Sequence, residues 1–276
     1  MRFWCSTVES PWSWRFVAYP GIWAVMALLS VPYVIAVRRR GDRDPDAGHK
    51  MRLYLAGVIV LWLASDWPLG LLGASYLASA HMAQFMLYTL VAAPLMLLGI
   101  PEWMGRRILS RLRAYRFVSF LSKPLVAAAV FNGLLLATHA PWTVDTLRSN
   151  QIGSFVMDML WLFAGLVVWL PVISPLPELR HRSYGVKIVY VFLALGVVPV
   201  LPAGFLTFAD FPLYSTYELA PRFYGLSAQN DQQIAGVIMK VAGIPVVWST
   251  MAVMMSRWYH QTSGASPAPR PPHLVS

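Results

Sequence analysis

Apolar segments alternate with short basic loops along nearly the whole chain, and this alternation constrains the fold more than any other feature. The longest uncharged stretch lies between Asp66 and Glu102 and contains no Lys, Arg, Asp or Glu. Its part from Tyr76 to Leu98 is long enough to cross a bilayer, because a membrane helix needs about 20 apolar residues. Helices satisfy their own backbone hydrogen bonds in lipid, so we expect an all-α, polytopic membrane helix bundle.

Applied along the chain, the same criterion predicts about seven transmembrane helices. They are Val17–Val37, Leu53–Ala64 (extending toward Leu72), Tyr76–Leu98, Pro124–Thr138, Ser154–Ile173, Val186–Phe208 and Gln233–Met255. The composition, 57% hydrophobic and 12% charged, is typical of this class. Between the third and fourth spans, Ile108, Leu112 and Tyr115 alternate with Arg at helical spacing, which predicts an amphipathic helix in the membrane interface.

The basic residues predict the orientation of the bundle. Of 22 Lys and Arg, 17 follow the first, third, fifth or seventh span, and the loops of the other side hold only four. The positive-inside rule then places the N-terminus outside and the C-terminus in the cytoplasm. We expect an extracytoplasmic segment at 1–16, a membrane domain at 17–256 and a disordered Pro/Ser-rich cytoplasmic tail at 257–276. The net charge of +10 is explained by these loops, and no nucleic-acid partner is expected.

Two histidines near predicted outer span ends are candidate metal ligands. His81 is followed by Met82 in the third span, and His139 ends the fourth. Imidazole and thioether groups suit copper, Cu(I) especially, so these three residues form a candidate copper site. The alternative is structural, because a histidine near a helix end often bonds a neighbouring helix and methionines fill membrane cores.

Three charged residues at similar depth are further candidates for function. Asp158 and Lys240 lie inside apolar spans, where a charge costs about 2.5–3.5 kcal/mol. We hypothesise that they form an ion pair or share a hydrated pocket, and the alternative is that each reaches the interface separately. Asp66, before Trp67-Pro68, fits an Asx-type turn or a helix end. No nucleophile, paired acid or phosphate loop is evident, and Cys5 is the single cysteine, so no enzyme activity is expected.

Several sequence blocks resemble one family. SAHMAQFMLYTLVAAPLMLLGIP at 79–101 and DQQIAGVIMKVAG at 231–243 are similar to the third and seventh spans of the CtaG-type cytochrome c oxidase assembly factors, the seven-span group associated with caa-type oxidases. Asp66-x-Pro68, THAP at 138–141 and FAGLVVWLPVISP at 163–175 also resemble this family. The similarity extends over roughly Asp66 to Met255, and it rests on the third-span and seventh-span blocks together.

The resemblance implies a protein of the bacterial plasma membrane that matures a haem-copper oxidase, by delivering or handling copper, with oxidase subunits as partners. The chain departs from the family pattern at three places. Phe85 stands where a second third-span histidine is expected, Met157-Asp158 replaces Glu-His, and Lys240 replaces a Trp. A four-histidine site is therefore excluded. Either ligation has shifted to His and Met, or metal handling is lost and an ion pair fills the space.

Two other functions remain open at this stage. A structural or accessory subunit of a respiratory complex would purify with that complex and show no copper effect. A transporter would use Asp158 and Lys240 in an ion path, but the chain lacks the repeats and paired broken helices typical of transporters.

Overall fold

A computed structural model describes residues 2–40 and 45–263, and within these ranges the regular elements are helices. The α-helices are α1 (Pro20–Arg38), α2 (Ala47–Ser65), α3 (Leu69–Leu71), α4 (Ala78–Met86), α5 (Ala93–Gly99), α6 (Glu102–Arg111), α7 (Tyr115–Leu121), α8 (Pro124–His139), α9 (Pro141–Arg148), α10 (Gln151–Ile173), α11 (Tyr184–Val191), α12 (Val200–Phe208), α13 (Ser215–Glu218) and α14 (Ala228–Ser263). Three π-helical turns, Leu72–Tyr76, Leu87–Ala92 and Phe192–Val197, and one 3-10 turn, Pro177–Leu179, join some of them.

The expected multi-pass membrane protein is confirmed. Five continuous helical segments are long and apolar enough to span a bilayer: Pro20–Arg38, Ala78–Gly99, Gln151–Ile173, Tyr184–Phe208 and Ala228–Ser263. Two bent pairs, Ala47–Ser65 with Leu69–Tyr76 and Tyr115–Leu121 with Pro124–His139, raise the number to seven if each is one span. The orientation stays a prediction, so we call the end of the bundle that carries the N-terminal segment the predicted outer end.

The predicted boundaries were wrong in three places. The loop expected after the fourth span contains α9, whose first residue is Pro141, a position that favours helix initiation. The expected single interfacial helix is two helices, because the chain turns between α6 and α7 at Arg113, whose φ is 50°. The last helix continues to Ser263, and the rest of the predicted tail, 264–276, lies outside the described residues.

Burial separates the interior of the bundle from its lipid-facing surface. In an apolar stretch of 18 residues, 67% of the residues are buried in each of the spans Ala78–Gly99 and Gln151–Ile173, whereas 22% are buried in α1 and in α14. The two interior spans approach closely at Gly165, where an added Cβ would lie 2.8 Å from the Thr89 Cα. Residues on α4 and α10 are therefore held in the centre of the protein.

The start of α4 is fixed by a carboxylate from the last helix. Leu77 is extended (φ −133°, ψ 122°), so the backbone leaves the preceding π-turn before α4 begins. Asp231 of α14 accepts hydrogen bonds from the backbone N–H groups of Ala78 and Ser79 and from the Ser79 hydroxyl. A carboxylate at a helix N-terminus satisfies amide groups that have no partner within the helix. This contact sets the register of α4 and the position of His81.

The N-terminal segment covers the predicted outer end of the bundle. The Thr7 N–H and hydroxyl donate to the Arg148 carbonyl at 3.0 and 2.6 Å, and the Tyr76 hydroxyl donates to the Ser10 carbonyl at 2.7 Å. Trp4 has no solvent exposure. The segment from residue 2 to 19 is therefore packed onto the bundle.

Candidate functional site

A buried ion pair lies under the N-terminal segment. Arg148 Nη2 is 3.0 Å from Asp158 Oδ1, and the two side chains are 0% and 1% exposed. Asp158 Oδ2 accepts a 2.8 Å hydrogen bond from the Trp4 indole N–H. Burial by itself would lower the pKa of Arg148, but the adjacent Asp158 carboxylate outweighs it and raises that pKa. The guanidinium is therefore charged and compensated in the protein interior.

Trp161 of α10 joins this ion pair to the two histidines. Its ring lies 5.0 Å from the Arg148 guanidinium carbon, a cation–π contact. The His81 ring meets it edge-on at 4.7 Å, and the His139 ring stacks on it at 5.8 Å with an interplanar angle of 18°. The indole N–H donates to the Thr138 hydroxyl at 3.1 Å. Trp161 thus orients both imidazoles.

His139 presents one bare nitrogen. Its Nδ1 lies 2.8 Å from the Leu135 carbonyl, which can only accept, so Nδ1 carries the proton. In the neutral ring Nε2 then holds a lone pair, and among the described residues it has no hydrogen-bond partner. The ring is 6% exposed. A buried acceptor without a donor costs about 1–3 kcal/mol, so this nitrogen is suited to a ligand.

His81 is even less satisfied. It is 2% exposed, and neither ring nitrogen forms a hydrogen bond of good geometry within the described ranges, although the Gly73 backbone carbonyl lies beside the ring. Its ring centroid lies 5.5 Å from that of His139, with the planes near perpendicular. The Tyr217 ring closes another side at 5.9 Å, and burial raises the pKa of its hydroxyl, which donates to the Gly73 carbonyl. The site therefore brings two imidazoles together in an enclosed, buried position.

Within the described residues, no His, Cys, Asp or Glu side chain adds a third metal ligand to the two histidines. Within the residues that the structure describes, no group of three or more His, Cys, Asp or Glu side chains is close enough to hold a metal ion. Cys5 is buried nearby, and burial together with Asp158 raises the pKa of its thiol. It donates to the Ser65 carbonyl at 3.5 Å and stays protonated. Any metal at His81 and His139 would therefore have few protein ligands.

The hypothesis that Asp158 pairs with Lys240 is wrong. Arg148 pairs with Asp158 instead, because α9 folds back and places a guanidinium on that carboxylate. Lys240 is exposed on α14, on the lipid-facing surface, and lines a groove beside α12. Of the two charges with a similar predicted depth, Asp158 is therefore buried in the bundle and Lys240 is exposed on its outside.

The remaining candidates from the sequence, Met82 and Asp66, make packing contacts or hydrogen bonds within the bundle. Met82 is buried beside His81 on α4, but one residue further along it points about 100° around the helix axis. Asp66 ends α2, as predicted for a helix-end residue, and its Oδ2 accepts from the indoles of Trp23 and Trp62 at 2.7 and 2.8 Å. Of the candidates, His81 and His139 contact Trp161, and Asp158 is joined to that ring through Arg148.

Sequence reasoning missed Trp4, Arg148, Trp161 and Tyr217. Trp161 carried a usable signal, because it follows Asp158 by three residues and shares its helix face. The sequence places Arg148 in the loop after the fourth span, and only the tertiary structure shows that α9 turns inward.

A comparison with known protein families found a match that covers most of the chain. Residues 31–261 match the family model described as cytochrome c oxidase caa3 assembly factor. No curated protein and no solved structure matches the chain. The matched range contains the histidine pair, the ion pair and all spans from the second half of α1 to the end of the apolar part of α14.

Proposed function

Since the chain belongs to the family of caa3-type cytochrome c oxidase assembly factors, we propose that it serves oxidase assembly in a bacterial plasma membrane by handling copper at His81 and His139. Copper is the cargo in this proposal, and the protein is a non-catalytic membrane chaperone for oxidase subunits. The observation that carries the proposal is the pair of adjacent, buried imidazoles: the His139 Nε2 and both His81 ring nitrogens have no hydrogen-bond partner of good geometry among the described residues.

The donor set favours Cu(I) over other ions. Neutral imidazole suits copper, and a d10 monovalent ion accepts two ligands, which is the number that the histidines supply. Zn²⁺ would require about four ligands. The nearby charges also permit a monovalent cation, because Asp158 compensates Arg148 and leaves the centre neutral. Phe85, which lies 4.7 Å from the His139 ring, occupies space where a third imidazole would otherwise fit.

The alternative is an accessory subunit in which the same residues only pack. The stacking of His139 on Trp161 and the edge contact of Phe85 favour this reading, since both are ordinary core contacts. A transporter that uses Asp158 and Lys240 has lost its support, because these two residues do not meet.

The deciding experiment measures Cu(I) binding and oxidase assembly on the same variants. Purified full-length protein is titrated anaerobically against a chromogenic Cu(I) chelator, and a deletion strain carrying each variant is assayed for assembled oxidase. We expect one Cu(I) per chain, lost in His81→Phe and in His139→Ala, with loss of assembled oxidase that added copper partly restores. His260→Ala is the matched control, because that histidine is exposed.

A gain of copper affinity is tested with Phe85→His, which places an imidazole where the family pattern has a histidine. We expect this variant to bind Cu(I) about tenfold more tightly, the effect of one added ligand contact of ordinary strength. Copper-free protein that assembles the oxidase normally in the His81 and His139 variants would exclude copper handling and favour the accessory-subunit role.

A further inference from the structure

A narrow apolar groove opens on the lipid-facing surface between the sixth and seventh spans. It has a volume of about 90 Å³ and lies between the π-turn Phe192–Val197 with α12 on one side and α14 on the other. Its lining is apolar except for one side chain, Lys240. The groove follows α14 from Lys240 to Trp248, which is eight residues or about 12 Å of helix.

Lys240 is a cation without a protein counter-charge. It makes no salt bridge and no hydrogen bond to any residue of the ranges 2–40 and 45–263. Other intramembrane charges differ: Asp158 pairs with Arg148, and Lys187 is buried and lies 4.8 Å over the Tyr184 ring. A charge on the lipid-facing surface is costly unless an anion or water reaches it.

The depth of Lys240 points to the headgroup side of one leaflet. Apolar residues of α14 face lipid from Ile234 to Met255, a length of about 31 Å that matches a hydrocarbon core of about 30 Å. Lys240 follows Ile234 by six residues, so it lies about 9 Å inside the predicted outer boundary. A lysine of this depth extends its ammonium toward the interface, where lipid phosphates lie.

The shape of the groove suits a flexible chain better than a helix. A helix with its side chains is about 10–12 Å across and would lie over the opening without entering it. The floor also continues inward, because Leu195, Pro199 and Met239 line a second pocket of about 10 Å³ that reaches Phe85. Exposed Trp248 borders the far end of the groove, about 21 Å inside the predicted outer boundary and so just past the membrane centre.

We propose that this groove binds one anionic phospholipid of the predicted outer leaflet. The lipid phosphate pairs with the Lys240 ammonium, and one acyl chain lies along the groove between α12 and α14 toward Trp248. This site is separate from the histidine pair, so its test does not depend on copper handling.

The experiment is native mass spectrometry of the delipidated full-length protein after incubation with phosphatidylglycerol or phosphatidylcholine. We expect the wild type to retain one phosphatidylglycerol in preference to phosphatidylcholine. Lys240→Gln should require about tenfold more phosphatidylglycerol for the same occupancy, because a charge-assisted contact is lost. Val200→Trp keeps the charge but fills the groove from its rim, and we expect the same loss.

Lys123→Gln is the matched control, since it removes one exposed positive charge elsewhere and should bind lipid as the wild type does. Equal retention of both lipids by the wild type, or unchanged retention in Lys240→Gln and Val200→Trp, overturns the proposal. Unchanged lipid retention in Lys240→Gln with a loss of co-purifying oxidase subunits also overturns it and assigns the groove to a partner helix.

Discussion

A buried ion pair and an exposed arginine with two glutamate partners lie in very different surroundings in this protein. Arg148 and Asp158 are 3.0 Å apart, and their side chains are 0% and 1% exposed. Arg106 contacts Glu102 at 2.6 Å and Glu178 at 2.7 Å, with side chains 51%, 48% and 35% exposed. The exposed contacts are the shorter ones, so distance alone does not rank the pairs.

The difference between the pairs comes from desolvation. In the exposed contacts, each charged group replaces hydration by an ionic partner, so the net gain in folding stability is small, and salt screens the attraction. The buried pair has already lost its water, so each charge depends on the other, and removing one leaves the second uncompensated. In the sequence all these residues are charges near span ends, whereas the structure buries one pair and exposes the other contacts.

The largest expected effect is the removal of one buried partner. Arg148→Met should destabilise the protein by about 3–5 kcal/mol, because it leaves the Asp158 carboxylate buried without a counter-charge. The double variant Arg148→Met with Asp158→Leu should recover much of this loss, since no unpaired charge remains. Thermal unfolding in detergent provides the measurement. A single variant that is as stable as the double variant would show that the pair is not coupled.

A smaller effect is expected from the hydrogen bond that supports the buried pair. Trp4→Phe keeps an aromatic ring under the N-terminal segment but removes the N–H that Asp158 accepts. A hydrogen bond to a charged group is worth about 1.5–3 kcal/mol, and we expect a loss of that order. In an Asp158→Asn background the same substitution should cost less, because the acceptor is no longer charged. Equal costs in both backgrounds would argue against a charge-assisted bond.

The smallest effect is expected at the exposed pair. A backbone N–H and the Arg106 guanidinium lower the pKa of Glu178, so the contribution of this carboxylate is present at neutral pH and is lost as the pH falls through the lowered pKa. Glu178→Gln should leave the melting temperature in detergent nearly unchanged at neutral pH, and added salt should remove any difference. A large, salt-resistant loss would mean that desolvation does not separate the two pairs.

The candidate site was predictable only in part. The sequence predicted a similar depth in the membrane for His81, His139 and Asp158, because helix rise and hydropathy place residues along the membrane normal. The sequence did not predict which side chains lie next to these residues within the plane of the membrane. Lys240 has the same predicted depth as Asp158 but faces lipid, and depth carries no information about the direction of a side chain across the bundle.

The sequence by itself determined that this chain is a multi-pass helical membrane protein and which family it resembles. Lipid cannot form hydrogen bonds to backbone polar groups, so these spans are helices. Their hydropathy depends only on local sequence, so it can be read without the tertiary structure. Only the tertiary structure decided that α9 turns Arg148 inward onto Asp158, that Trp161 holds both imidazoles, and that Lys240 has no protein partner among the described residues. These contacts join residues distant in sequence, and they depend on how helices pack around one another rather than on the pattern within any helix.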